Sequence, residues 1–229
     1  MVVGNGLVAR SLDVYKDNPD VVIFASGVSN SGEVSIPEYE REAELLMSWK
    51  NSKALFVYFS TCSIFDPTLS ASMYVVHKKK MEEVIRNEFS SFLILRLPLL
   101  ISNSPNPFTF FNFIRNRILS KENLQVHAKA WRYLMDADDL KTLVPLIINE
   151  DSYTGQSINM AYDNASRVAD IVKQMEIIAG VEAKKELVEK GSNYNFDRHV
   201  FRELLQKHNF KFDPILYNEQ IIKKYMHAY

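Results

Sequence analysis

Two kinds of hydrophobic pattern alternate along this chain. The first is a short unbroken apolar run, rich in β-branched and aromatic residues, which predicts a strand buried on both faces. Met1-Val2-Val3, Asp20 to Gly27, Ala54 to Phe59 and Ser91 to Leu97 are of this kind. The second places apolar residues every three or four positions, which predicts an amphipathic helix. A helix over 37–50 has Tyr39, Ala43, Leu46 and Met47 as its stripe, with Glu and Arg outside. Others are predicted from about Ser72 to Asn87, from Phe108 to Leu119 and from Asp138 to Asn149. Further helices run from a Ser166 cap to Ala179, from Asp197 to Lys207 and from Asn218 to His227. Gln125 to Leu134 alternates like a strand, and a shorter strand is expected near Glu186 to Glu189. Strands alternating with helices predict an α/β protein with a parallel sheet.

Composition narrows the class. At 229 residues, 47% hydrophobic and 24% charged, the chain can bury a sizeable core, as one domain or a domain with a lobe. Its net charge of −1 gives no electrostatic footprint for nucleic acid or a membrane surface. One cysteine excludes an internal disulfide framework and fits a reducing compartment. No apolar run reaches the length of a membrane span and no signal peptide precedes the first motif, so a cytoplasmic location is expected. The five histidines have no metal-ligand spacing, and no metal is expected.

The chemistry concentrates between Phe56 and Glu82, FVYFSTCSIFDPTLSASMYVVHKKKME. A buried strand ends there in Ser60-Thr61-Cys62-Ser63, and Asp66-Pro67 makes a turn. The following helix carries Tyr74 and Lys78 four apart, on one face. A phenol ionises near pH 10, and a nearby ammonium lowers that value toward the range useful for proton transfer. Thr61 is placed to hold a carbonyl or alcohol against the phenol. Hydride transfer at carbon needs such a proton partner at oxygen. The same spacing also describes an ordinary i,i+4 pair on a surface helix.

The Thr61 … Tyr74-x-x-x-Lys78 arrangement resembles the short-chain dehydrogenase/reductase superfamily, in its sugar-nucleotide epimerase/dehydratase branch. Other segments share the likeness. Gly4-Asn5-Gly6-Leu7-Val8-Ala9 reads G-x-G-x-x-A, small residues that admit a pyrophosphate at a helix N-terminus. Arg96-Leu97-Pro98 is similar to the family's R-x-P segment, and Arg132 to Leu140 to its R-x-x-x-x-x-x-D-L segment. The resemblance implies a Rossmann-like parallel sheet flanked by helices, with a small C-terminal substrate lobe. The core then spans 1–101, with later strands returning to it, and 102–229 is mostly lobe.

It further implies NAD or NADP as cofactor, held by Gly4, Gly6, Leu7, Val8, Ala25, Ser26, Gly27, Ser60, Tyr74, Lys78 and Pro98. Thr61, Tyr74 and Lys78 are the implied catalytic set. A nucleotide-sugar substrate is expected at Cys62, Ser63, Asn103, Asn106 and Arg132, the last through its fork on the diphosphate. Arg132 also suits a surface salt bridge, and Cys62 also suits a position facing the sheet. A homodimer through helices 37–50 and 72–87 is implied as well.

One departure is prominent. A dinucleotide fold places an acidic residue about 20 residues past the glycines, at the end of its second strand. Asp20 has nearly that offset but stands before its strand. The chain passes from its first helix to what resembles the family's fourth strand, so the fold is abbreviated near the N-terminus. Where the family's dehydratases follow Thr with Asp and Glu, this chain has Cys62 and Ser63. That disfavours dehydration and leaves a keto-sugar reductase, with an epimerase or a non-catalytic dinucleotide-binding relative as alternatives.

Overall fold

In the computed structural model, which describes residues 1–214 and 216–226, the apolar runs form strands and the periodic stretches form helices. The strands are β1 (Val2–Val3), β2 (Val21–Phe24), β3 (Leu55–Thr61), β4 (Phe92–Leu97), β5 (Leu99–Ile101), β6 (Leu124–His127), β7 (Trp131–Arg132), β8 (Leu134–Asp136), β9 (Ser157–Asn159), β10 (Ser166–Arg167) and β11 (Lys185–Val188). The helices are α1 (Leu7–Ser11), α2 (Ile36–Met47), α3 (Met73–Glu88), α4 (Phe110–Leu119), α5 (Leu140–Ile148), α6 (Val168–Ala179), α7 (His199–Lys207) and α8 (Tyr217–Met226). They assemble into two compact units. The first holds Met1–Phe65, Leu69–Leu97 and Ala137–Met160; the second holds Asp66–Thr68, Pro98–Asp136 and the chain from Ala161 on.

The first unit is built on a parallel sheet in the order β1-β2-β3-β4-β9. Its central strands are apolar at nearly every position because both faces are covered. On one face Val22, Phe24, Phe56, Tyr58 and Ile94 pack with Leu46 of α2 and Met81 and Ile85 of α3. Val21, Ile23, Val57, Leu93 and Leu95 alternate with these and are equally buried, as are Ala9 of α1 and Leu140, Leu143 and Val144 of α5.

Sequence order explains the abbreviated start. From α1 the chain passes through one 3-10 turn, Asp13–Tyr15, straight into β2, which pairs directly with β1. Among the described residues no strand lies on the other side of β1. The predicted first helix is correspondingly short, ending at Ser11 rather than near Tyr15.

The second unit gathers short elements around one apolar core. Ile101, Phe111, Ile114, Ile118, Leu134, Ile171, Met175 and Ile222 are its centre. The single strand expected over Gln125 to Leu134 is instead three pieces, β6, β7 and β8, each paired elsewhere: with β11, β10 and β5. Alternation predicted extended backbone there but not the breaks at Ala128–Ala130 and Tyr133. Ser166 does not cap α6; it pairs with Arg132, and Arg167 is the residue at the cap position. The last helix is found as expected, with its predicted end, His227, outside the described residues.

Gly4 shows how tightly β1 meets β2. Its φ is +122°, and a Cβ there would stand 2.5 Å from the Ala25 carbonyl oxygen. Neither the backbone angle nor the contact tolerates a side chain. Gly4→Ala is therefore expected to lower stability by about 1–3 kcal/mol, read as the shift in a urea denaturation midpoint. A variant as stable as the wild type would show that the turn has another conformation open to it.

Candidate active site

Because β1, β2 and β3 are parallel, their carboxyl ends share one edge of the first unit's sheet, the edge where ligands bind in open α/β sheets. Gly4, Ala25 to Gly27, and Ser60 with Thr61 come to that edge. Thr61 is the last residue of β3, and its Oγ1 accepts the Ser63 amide at 3.1 Å as the chain turns into the 3-10 segment Cys62–Phe65. Ser72 caps α3 by accepting the Val75 amide at 3.2 Å, which sets Tyr74 in the first turn and Lys78 one turn later. The Thr61 hydroxyl comes close enough to the Tyr74 phenol to pull its pKa down. The sequence-predicted hydroxyl and phenol are thus brought together.

Lys78 is committed elsewhere. Its ammonium is buried and donates to Glu42 Oε1 at 3.0 Å, to Tyr58 Oη at 3.1 Å and to the Phe59 carbonyl at 3.5 Å. It stands 5.9 Å from the centre of the Tyr74 ring. Glu42, expected on the outer face of its helix, has a fully buried side chain. Its Oε1 also accepts from Tyr58 Oη at 2.6 Å, and its Oε2 accepts from the Val28 amide at 2.6 Å. His77 Nε2 lies 3.2 Å from the same carboxylate. The cluster also explains Gly27: a Cβ there would stand 2.7 Å from Lys78 Nζ and 3.0 Å from Glu42 Oε1.

This changes the electrostatics expected of the phenol. Burial alone pushes the Glu42 carboxyl up. Lys78 beside it, the hydrogen bonds from Tyr58 and Val28, and the nearby His77 ring outweigh that and hold it well below the usual carboxylate range. Lys78 is lowered by burial, with Glu42 opposing. Tyr74 is raised, chiefly by burial; the Thr61 hydroxyl works against the rise and Glu42 adds to it. The expected lowering of the phenol by Lys78 is therefore not what the packing produces. The ammonium's field is met at 3.0 Å by a carboxylate before it reaches Tyr74.

A second buried carboxylate organises the neighbouring strand ends. Glu82 Oε1 accepts from Ser60 Oγ at 2.6 Å and from Arg96 Nε at 2.9 Å. Its Oε2 accepts from Arg96 Nη2 and from Arg86 Nη2, both at 2.6 Å. Ser60, read as a cofactor contact, thus has its hydroxyl spent on Glu82. Cys62 is buried, and its thiol donates to the Arg96 carbonyl at 3.2 Å, so it faces the sheet rather than a substrate. Ser63 is half-buried beside it. At the end of β2, Arg41 donates to the carbonyl and hydroxyl oxygens of Ser26 at 3.2 Å. Leu7 and Val8 open α1, and Gly6 has no atom within 4 Å of where its Cβ would stand.

Four predicted residues belong to the second unit. Pro98 separates β4 from β5. Arg132 donates through Nη1 to Asp66 Oδ2 at 3.0 Å and to the Trp131 carbonyl at 2.7 Å. Asp66 has no exposed side-chain surface and also accepts from Thr68 and Ser192. Asn103 is exposed. Asn106 is exposed as well, but its Oδ1 accepts the Phe108 amide at 2.9 Å, an Asx turn leading to α4. Sequence reasoning missed Glu42 and Glu82. Both sit on the apolar stripes of their helices, Glu42 between Tyr39 and Leu46 and Glu82 between Lys78 and Ile85, and that spacing was the available signal.

No protein-family model and no curated protein matches the chain. Solved structures do. A UDP-glucuronic acid 4-epimerase from Bacillus cereus, in complex with UDP-glucuronic acid and NAD, is 18% identical with a TM-score of 0.72, covering 98% of this chain and 79% of that one. A dTDP-glucose 4,6-dehydratase from Bacillus anthracis, in complex with NAD, is 14% identical at TM-score 0.69, over 98% of this chain and 77% of that one. A dTDP-4-dehydrorhamnose reductase from Clostridium acetobutylicum is 15% identical at TM-score 0.69, over 97% and 85%. The chain has the fold of these sugar-nucleotide enzymes: a Rossmann-like parallel sheet flanked by helices, in a shorter form.

Glu82 allows a direct test of the buried carboxylates. Burial pushes its pKa up, but Arg96, Ser60 and Arg86 outweigh that and hold it below the usual range. A depressed carboxyl contributes stability that is present above its unfolded value, near pH 4.3, and is lost as pH falls through the folded value. Glu82→Gln is expected to cost about 1.5–3 kcal/mol at pH 7, the worth of a charged hydrogen bond, because it leaves the partly buried Arg96 guanidinium without its carboxylate. The gap to wild type narrows as pH drops below about 4. Urea titrations across that range measure it, and a gap independent of pH would show that the charge is not what holds the cluster.

Proposed function

We propose that this chain is an NAD(P)-dependent reductase of a nucleotide-linked keto sugar. Tyr74 is the proton donor, Thr61 the orienting hydroxyl and Lys78 their charged neighbour. The observation that carries the reading is the closeness of the Thr61 hydroxyl to the Tyr74 phenol at the carboxyl end of the central strand, on the edge that also bears the glycine turn.

The residues present fit the diphosphate of a dinucleotide. Gly4 draws the ends of β1 and β2 together, and the open space at Gly6 sits where α1 begins. They do not fit the adenosine end as well, because the acidic residue that grips the ribose belongs to a strand beyond β1. Gly4, Gly6, Leu7 and Val8 would hold the diphosphate, with Ala25 to Gly27 alongside. When bound, the reduced nicotinamide supplies a hydride to the carbonyl carbon. Tyr74 gives its proton to the carbonyl oxygen, Thr61 holds that oxygen in place, and water reprotonates the phenol.

The raised phenol favours reduction over epimerisation. An epimerase of this type must first take a proton from an alcohol, and a half-buried tyrosine whose pKa is raised is poor at that. Arg132 is proposed for the substrate diphosphate, through whatever donors its Asp66 pair leaves. Exposed Ile36 on α2 and Met73 and Val76 on α3 support the homodimer proposed through these helices.

Tyr74→Phe is expected to cut turnover about a hundredfold or more while NADH binding, followed by fluorescence, stays unchanged. A panel of nucleotide-linked 4-keto sugars supplies the substrate, and near wild-type rates in the variant would remove Tyr74 from the chemistry. NADH and NADPH are expected to bind within about tenfold of each other, or ~1.4 kcal/mol, because the discriminating strand is missing. A strong preference for either refutes that point. Binding of neither favours a non-catalytic role.

A further inference from the structure

The cluster at Lys78 has one member that the proposed chemistry does not use. Glu42 comes from α2, earlier in the sequence than the Thr61–Tyr74 pair, and it is fully buried. A carboxylate in that position is costly unless paired, and it gathers donors from three elements: Lys78 of α3, Tyr58 of β3 and the Val28 amide after β2. Lys78 Nζ, for its part, lies against Gly27, where no side chain fits. The ammonium is held at the β2 end of its reach.

We propose that Glu42 is a positioning residue: by anchoring the Lys78 ammonium against β2 it withdraws that charge from Tyr74 and keeps the phenol as a proton donor. The inference rests on the reading of Tyr74 as the acid, but the arrangement of charge is independent of any cofactor. The ionisable groups that face Tyr74 and Lys78 are few. Tyr39 and Glu42 come from α2, Tyr58 from β3, Cys62 from the turn after it, and His77, Lys78 and Glu82 from α3. Lys78 is the cation of this set closest to Glu42, and Tyr39, Cys62 and Glu42 all favour a protonated Tyr74. Neutralising Glu42 leaves the Tyr74 phenol, one helical turn away, as the acid whose ionisation would take over the carboxylate's part in keeping the buried Lys78 ammonium charged.

The test needs no substrate. Protein labelled at tyrosine Cζ with carbon-13 is titrated by NMR, with the Tyr74 resonance assigned as the one lost in Tyr74→Phe. The wild-type resonance is expected to stay in its protonated position past the ordinary phenol midpoint near pH 10. In Glu42→Gln the midpoint falls by at least about one unit relative to wild type, a tenfold change in the ionisation constant. In Glu42→Gln/Lys78→Met neither charge remains, and Tyr74 returns to wild-type behaviour. A purely structural Glu42 moves none of these midpoints. An unshifted Glu42→Gln overturns the proposal, and so does a double variant shifted as far as the single. If Glu42→Gln does not fold, Glu42→Asp sets the carboxylate back by one methylene and is read in the same way. A smaller fall supports the proposal, and an unchanged midpoint overturns it. Failure of the proposed function would show separately, as an absence of NADH binding.

Discussion

A carboxylate taken out of water has to be given donors, and in the first unit that requirement falls twice at the same sheet edge. Glu42 and Glu82 are both almost wholly buried, one from α2 and one from α3. Coulombic attraction to a single cation rarely repays such desolvation, so each carboxylate collects hydrogen bonds to both oxygens. Glu42 ties α2 to β3, to α3 and to the loop after β2. Glu82 ties α3 to Ser60 of β3 and Arg96 of β4, and Arg96 in turn donates to Asn159 of β9 at 3.2 Å. The strand ends that a ligand would meet are thereby fixed by side-chain charge as well as by the ladder. Such over-determination is what keeps reactive groups in one geometry.

The other end of the sheet obeys a different constraint. A parallel strand inside an α/β sheet is ordinarily paired on both edges, yet β1 pairs only with β2 among the described residues. Two residues long and followed by a five-residue helix, β1 offers little edge to other chains. A short edge strand is one of the ways natural sheets avoid edge-to-edge association. The abbreviation therefore creates no long exposed edge. The glycine turn survives because Gly4 belongs to the β1–β2 contact itself, through its approach to Ala25, and not to the missing strands.

How legible all this was depends on the range of the interaction. Strand runs and helix stripes are local, so the sheet's members and the Tyr74–Lys78 face were readable from periods of two and 3.6. The skipped strands were readable too, since the distance from Gly6 to Val21 leaves no room for a strand and its helix. Partner choice was not local. Lys78 chose Glu42 across 36 residues, and Arg132 chose Asp66 across 66. Nothing in the neighbourhood of either cation announces the partner. The one hint was a charged residue lying on an apolar stripe, where Glu42 follows Tyr39 by three and precedes Leu46 by four. A charge in that position is either expelled from the core or paired within it, and here it is paired.

The same logic bears on each cation that the sequence offered to a ligand. Lys78 and Arg132 each already hold a carboxylate with no exposed surface: Glu42 and Asp66. Exchange of such a partner for an incoming anion would leave an uncompensated buried charge, which costs several kcal/mol. An external phosphate or sugar can therefore use only the donors that point away from the resident carboxylate. Arg132 suits that division, since a guanidinium has five N–H groups and its bond to Asp66 runs through Nη1. Lys78 suits it poorly, because its three ammonium hydrogens already face Glu42, Tyr58 and the Phe59 carbonyl. Of the two cations, Arg132 keeps N–H groups beyond the one that meets Asp66, while the ammonium of Lys78 is taken up on three sides.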